Sequence, residues 1–238
     1  MKNYILYLLT IFVITSVSMA VNPQVTIQIS GGVTGSIVLE LYADTAPITT
    51  ANFISYVKKN FYNNLIIHRV INGFMIQGGG FDTNIIQKPH DPNIINESYN
   101  NLSNLRGTIA MARTSEPDTA NSQFYINTVD NTSLNYGAIA YDGYGNAYRK
   151  IGYCVFGRVI SGMNIVDAIA AVATTTKSGM TDVPVNNIII QSVTITKNAP
   201  VCANKMIGDI DRDCNIDLAD FAQMAENWLL CNSITICQ

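Results

Sequence analysis

Apolar and polar residues alternate with a period of two in several separate runs, each of strand length rather than helix length. VTIQIS and SIVLELY flank the glycine-rich loop GGVTG and predict a β-hairpin. RGTIAMAR, SQFYINTV, GYCVFGRVI and IIIQSVTIT predict further strands, the last alternating Val193 and Ile195 with Thr194 and Thr196. Two segments change period. TAPITTANFISYVKK puts Pro47 in a first helical turn and spaces Phe53, Ile54 and Val57 along one face. SGMNIVDAIAAV spaces Met163, Val166 and Ile169 in the same way, with Ser161 as the expected N-cap. Residues 87–104, rich in Asn, Pro and Asp, predict a loop. NYGAIAYDGYGNAYRK carries Tyr136, Tyr141, Tyr144 and Tyr148 among glycines and predicts a second, exposed loop. Many short strands with two isolated helices are not a βαβ alternation. The expected fold is all-β, an antiparallel sheet closed into a barrel with helices at its ends.

One strand-like stretch, NLIIHRVINGFMIQGGGFD (residues 64–82), departs from a simple core pattern. Strict alternation would put Leu65, Ile67, Arg69 and Ile71 on one face. A guanidinium among isoleucines is costly unless it is paired or used. After an Asn72-Gly73 turn, Met75 and Gln77 should share one face and Phe74 and Ile76 the other. Gly78, Gly79 and Gly80 would then permit close backbone approach. By themselves these residues leave a paired structural arginine and a chemical one equally open, and Phe74 and Met75 read as ordinary core.

The two ends differ from the middle. Lys2, an apolar run from Tyr4 to Val17 and the small-x-small pattern Ser18-Met19-Ala20 predict a secretory signal peptide over residues 1–20, cleaved after Ala20; a retained membrane anchor is the alternative. No later stretch is long and apolar enough to span a bilayer. Between positions 205 and 226 lie six acidic and two basic residues; subtracting these from the chain's 17 and 14 leaves 11 and 12, near neutrality. No basic stripe favours nucleic acid. Cys154 stands alone, whereas Cys202, Cys214, Cys231 and Cys237 cluster near the C-terminus and suggest two disulfides in an exported chain, with the pairing open. The organisation expected is a signal peptide (1–20), a main domain (21–198) and a small Cys-rich tail (199–238).

FYNNLIIHRVINGFMIQGGGFD, with NLRGTIAMARTSEPDTANSQFYIN and GYCVFGRVISGMNIVDAI, closely resembles the cyclophilin family of peptidyl-prolyl cis–trans isomerases, most of all its exported bacterial members. The resemblance spans positions 25–197 and implies an eight-stranded antiparallel barrel capped by two helices. It also implies that Arg69 is the catalytic arginine, preceded by His68. The proline pocket would be Phe74, Met75, Leu134 and Tyr125, and the substrate-backbone contacts Gln77, Ala112, Arg113 and Gln123. Arg113 would act mainly through its peptide backbone, and Gln77 would help to position Arg69. Some positions depart from the family pattern: Tyr125 stands where Phe is usual, Ser133 where Trp or Phe is frequent, and Ile67 where Phe is usual. A buried Tyr125 hydroxyl would need a partner.

In the tail, GDIDRDCNIDLADFAQMAENWLL places Asp209, Asp211, Asp213, Asn215, Asp217 and Asp220 at the spacing of an oxygen-ligand calcium loop. A helix with Phe221, Met224 and Trp228 near one face should follow. The pattern resembles one half of a dockerin repeat, with Cys214 in place of the usual turn glycine and no second repeat. Calcium and a cohesin-like or cell-surface partner are therefore expectations for the tail alone, and no cofactor is expected for catalysis. The leading reading is an exported isomerase (periplasmic, cell-surface or extracellular) that acts on proline-containing polypeptides. The alternative is a proline-segment-binding chaperone or scaffold with little turnover, anchored through its tail.

Overall fold

The expected N-terminal hairpin forms as β1 (Gln24–Gly31) and β2 (Gly35–Leu41), because each strand puts an apolar residue inward at every second position. Val25 faces Leu39 and Ile27 faces Ile37, all four buried. The computed structural model describes residues 22–197 together with Phe221. The leader, the calcium-loop residues Asp209 to Asp220 and the four clustered cysteines lie outside the described residues.

The other barrel strands are β3 (Leu65–Ile71), β4 (Met75–Asp82), β5 (Thr108–Met111), β6 (Phe124–Asn127), β9 (Val155–Ser161) and β12 (Ile188–Lys197). They close in the order β1-β12-β3-β4-β6-β5-β9-β2, antiparallel at every pairing. Closure leaves the barrel itself without a free edge strand. Helix α1 (Pro47–Lys58) starts with the expected proline and buries Phe53, Ile54 and Val57. Phe53 lies 5.1–5.6 Å, centroid to centroid, from the rings of Tyr62, Phe124 and Phe156. Helix α2 (Met163–Ala170) buries Val166 and Ile169, with Met163 packed at the margin.

Residues 87–104 form no strand, but the segment is anchored. The buried Glu97 carboxylate accepts from Thr49 N–H at 2.8 Å, the Thr49 hydroxyl at 2.7 Å and Ile48 N–H at 3.2 Å. Ala46 offers α1 no side-chain cap, so a distant carboxylate satisfies the first-turn donors instead.

The sequence-based expectations need correction at several points. The tyrosine-rich loop is a small ribbon, β7 (Ile139–Tyr141) with β8 (Ala147–Arg149), though Tyr136, Tyr141, Tyr144 and Tyr148 are exposed as expected. A second ribbon, β10 (Thr174–Lys177) with β11 (Met180–Pro184), was not expected, since its strands lack apolar alternation. Ser178 and Gly179 both have positive φ, as a two-residue hairpin turn requires. Ser161 ends β9 rather than capping α2; Gly162, in the left-handed region, takes that position without a side-chain cap.

Gly162 is also where β9 turns past β2. A Cβ there would lie 2.1 Å from the Ser36 carbonyl oxygen, whereas one on the equally left-handed Gly73 would meet open space. Gly162→Ala should therefore cost more than about 3 kcal/mol in urea unfolding and Gly73→Ala about 1 kcal/mol. Equal losses would contradict this packing.

Candidate active site

The barrel's period of two produces two apolar clusters. Ile76, Ile109, Phe124, Ile126 and Phe156 point inward to the main core. Their neighbours Met75, Ala110, Tyr125 and Val155 point outward from β4, β5, β6 and β9 and form a second cluster with Phe74, Ile71, Ala112, Leu134 and Tyr153. A hollow of about 200 Å³ opens on this outer cluster, lined by Arg69, Phe74, Met75, Gln77, Ala112, Arg113, Tyr125, Leu134 and Tyr153. A second hollow of about 370 Å³ adjoins it through Gln77, Ala112 and Arg113, and also carries Gln123, Asn121 and His90.

Arg69 reaches this face because β3 does not alternate strictly. Ile67 pairs with Gly78 and Arg69 with the adjacent Gln77, so β3 has one extra residue, His68. This bulge reverses the inside-outside order. Leu65, Ile67 and Val70 lie in the main core, while Ile71 joins the outer cluster and Arg69 lines its hollow. The single face expected for Leu65, Ile67, Arg69 and Ile71 is thus split. Phe74 is corrected too. It precedes β4 in the turn, where Phe74 N–H donates to the Ile71 carbonyl at 3.1 Å, and it packs with Met75 rather than opposite it.

The side chains around the hollow are fixed by polar contacts. The Tyr125 hydroxyl, which was expected to need a partner, donates to Asn104 Oδ1 at 2.7 Å, and burial pushes its pKa well above the usual phenol value. Gln77 Nε2 donates to Gln123 Oε1 at 3.0 Å. Gly80 makes room for that partner, since a Cβ there would lie 2.6 Å from Gln123 Cγ. The Ala112 N–H donates to the Gln123 carbonyl at 3.0 Å. The Arg113 guanidinium lies 4.4 Å from the Tyr153 ring centroid and donates to the carbonyls of Thr114, Ser115, Ile151 and Gly152. That arrangement leaves its side chain committed to the protein's own backbone.

Arg69 contrasts with Arg113. Among the described residues it makes no side-chain hydrogen bond, and its ion-pair contact is Nε to Asp182 Oδ2 at 3.6 Å. Neither Asp182 nor Tyr153 was expected from sequence. Tyr153 was accessible there, because alternation in GYCVFG puts it with Val155 and opposite Cys154 and Phe156.

His68 lies apart from both hollows, buried with its ring 4.7 Å from that of Phe81. Cys154 is also buried, 3.3 Å from the Thr49 hydroxyl, and burial pushes its thiol up to about 12. His90 is an exposed loop residue. Among the described residues no group of three or more His, Cys, Asp or Glu side chains is disposed to hold a metal ion, and no helix is long and apolar enough to cross a membrane.

Burial lowers the His68 pKa to about 4; a backbone hydrogen bond at Ile66 opposes this and the charge of Arg69 adds to it. The unfolded imidazole takes a proton near pH 6.5, whereas the folded one resists until about pH 4. Stability present at pH 7 is therefore lost as pH falls through that window. Unfolding free energy should decline with a slope approaching 1.4 kcal/mol per pH unit between about pH 6 and 5. His68→Gln should flatten the slope in urea titrations at each pH; a parallel profile would contradict the assignment.

Residues 24–195 match the family profile of the cyclophilin type peptidyl-prolyl cis-trans isomerase/CLD. Peptidyl-prolyl cis-trans isomerase B of Escherichia coli (strain K12) is 50% identical over 164 residues, spanning 68% of this chain and 95% of its own length. A peptidyl-prolyl cis-trans isomerase of Acinetobacter baylyi is 53% identical over 161 residues, spanning 68% of this chain and 80% of its own. The crystal structure of a Cryptosporidium parvum cyclophilin type peptidyl-prolyl cis-trans isomerase aligns with a TM-score of 0.58 at 25% identity, over 74% of this chain and 99% of that one. A second structure of that protein, determined in the presence of the dipeptide Ala-Pro, gives 0.57 and 26%. The matched span runs from the first residue of β1 almost to the last of β12, so the barrel is the matched unit, and the chain belongs to the cyclophilin family as a peptidyl-prolyl cis–trans isomerase.

Proposed function

We propose that the outer hollow receives the proline ring of an X-Pro segment, and that Arg69 lowers the barrier to rotation about the preceding peptide bond. The observation that carries this reading is a forked, permanently charged donor without a hydrogen bond, beside the apolar wall of Phe74, Met75 and Leu134. That a related structure was determined in the presence of the dipeptide Ala-Pro supports a proline-containing ligand for such a wall.

Rotation must break amide resonance, a barrier of about 18–20 kcal/mol. As the imide nitrogen loses planarity it gains a lone pair that a guanidinium can stabilise. The planar ground state offers no such lone pair, so the interaction favours the transition state alone. A 10⁵-fold acceleration asks for about 7 kcal/mol from orientation and this donor together. Gln77 and Gln123, held to each other, would offer polar contacts to the substrate backbone, as would the backbone at Ala112 and Arg113. No proton need move. That fits a buried His68 kept neutral at pH 7 and a Cys154 thiol kept protonated. His68 would then act by its place in the bulge that turns Arg69 outward.

The reading extends to the ends of the chain. Residues 1–20 would direct export to the periplasm, cell surface or medium, where the substrates would be proline-containing segments of exported polypeptides. The tail would bind Ca²⁺ through Asp209, Asp211, Asp213, Asn215, Asp217 and Asp220, and could present a helix to a cohesin-like or surface partner. Support for both is the residue pattern itself.

Two experiments test these statements. The parent should accelerate cis–trans exchange of a short X-Pro peptide, and Arg69→Ala should lose roughly 10²–10³-fold of that acceleration. A parent that binds the peptide without accelerating exchange would favour a proline-binding scaffold. Calorimetric titration should show one Ca²⁺ site, lost in Asp209→Ala/Asp211→Ala; unchanged binding in that variant would contradict the loop assignment.

A further inference from the structure

We propose that Asp182 is a positioning residue for Arg69: a carboxylate that holds the guanidinium by its Nε end so that the fork is presented to the hollow. This rests on the catalytic reading of Arg69 given above and adds the residue that orients it.

Two irregularities meet at this pair. Arg69 follows the His68 bulge in β3. Asp182 occupies a bulge of its own: from Thr175↔Val183 to Lys177↔Met180, β10 advances two residues while β11 advances three. The extra residue leaves Asp182 with φ of 62°, a left-handed conformation that is unfavourable for a residue bearing a Cβ. Bulges re-aim side chains, and here both aim at the same point. The β10–β11 ribbon is not a barrel element, but β11 lies against β3, and its Val183 is fully buried.

The carboxylate is itself held. Thr181 Oγ1 donates at 3.3 Å to Asp182 Oδ2, the same oxygen that faces Arg69 Nε at 3.6 Å. Gln77, opposite Arg69 in the ladder, is engaged with Gln123 instead. Asp182 is thus the only ion-pair partner of Arg69 among the described residues.

Stability does not account for the pair. The two side chains are 41% and 36% exposed, a setting in which an ion pair contributes little to folding. An arginine side chain otherwise samples many rotamers, and restraint at Nε removes part of that freedom while leaving the terminal nitrogens available.

Asp182→Asn keeps the shape and tolerates left-handed backbone; Asp182→Gly removes the backbone strain altogether. Both should unfold at the parent's urea concentration or higher. Both should lower kcat for a short X-Pro peptide about ten-fold, with KM changed less than about two-fold. Adding Asp182→Asn to Arg69→Ala should cause no further loss, because the carboxylate acts only through the guanidinium. If Arg69→Ala is impaired and Asp182→Asn keeps the parent's rate, the tether is wrong and the catalytic reading stands. The tether also falls if the loss persists undiminished in the double variant. If Arg69→Ala itself keeps the parent's rate, both readings fall together.

Discussion

Between Ile67 and Arg69, β3 carries one residue more than the strand it pairs with, and the placement of the guanidinium depends on that excess. Without the bulge, Arg69 would follow Ile67 into the core, where an unpaired charge is prohibitively costly. With it, Ile67 and Val70 fill the interior and Arg69 emerges outside. His68 is the residue that the bulge consumes. Its burial, with Nδ1 lacking a hydrogen-bond partner, is a cost of this arrangement. The surrounding packing offsets it: eight strands close the barrel, and Phe53 of α1 packs on the inward rings of Phe124 and Phe156.

The same period of two that builds the core also builds the hollow. Each wall strand contributes inward residues to the barrel and outward ones to the site: Ile76 and Met75, Phe124 and Tyr125, Phe156 and Val155. The hollow is therefore carried on the outside of strands whose insides are locked in packing, which fixes its geometry without a separate scaffold. Connecting segments then complete it. Leu134 comes from a short 3₁₀ turn (Thr132–Leu134), held by Asn131 and Asn104, and Asn104 also receives the Tyr125 hydroxyl. Because the Tyr125 hydroxyl meets a buried acceptor, it ties the wall of the hollow to Asn104.

Elements with strong alternation were legible in the sequence: the β1–β2 hairpin, the strands holding Phe124 and Phe156, and the buried face of α1. What escaped depended on register and tertiary contact rather than on composition. A bulge adds a residue without changing composition, so Leu65, Ile67, Arg69 and Ile71 looked like one face. The polar ribbon β10–β11 is held by a Ser178-Gly179 turn and by Val183, and it gave no period to read. Asp182 is remote from Arg69 in sequence and meets it only after two bulges form. Ser161 appeared to cap α2 because propensity cannot register the Ser36 carbonyl that crowds the next position. The candidate site residues were proposed from family resemblance. Alternation alone left Arg69 undecided and assigned Phe74 and Met75 to the core.

Catalysis by Arg69 requires the guanidinium to interact with the rotating bond more strongly than with the resting one. Exchange spectroscopy on one X-Pro peptide reads affinity and the on-protein interconversion rate in the same sample. Relative to the parent, Arg69→Ala should show a dissociation constant altered by less than about three-fold and an interconversion rate that collapses. If affinity falls as far as the rate does, Arg69 binds ground and transition states alike and the account is contradicted.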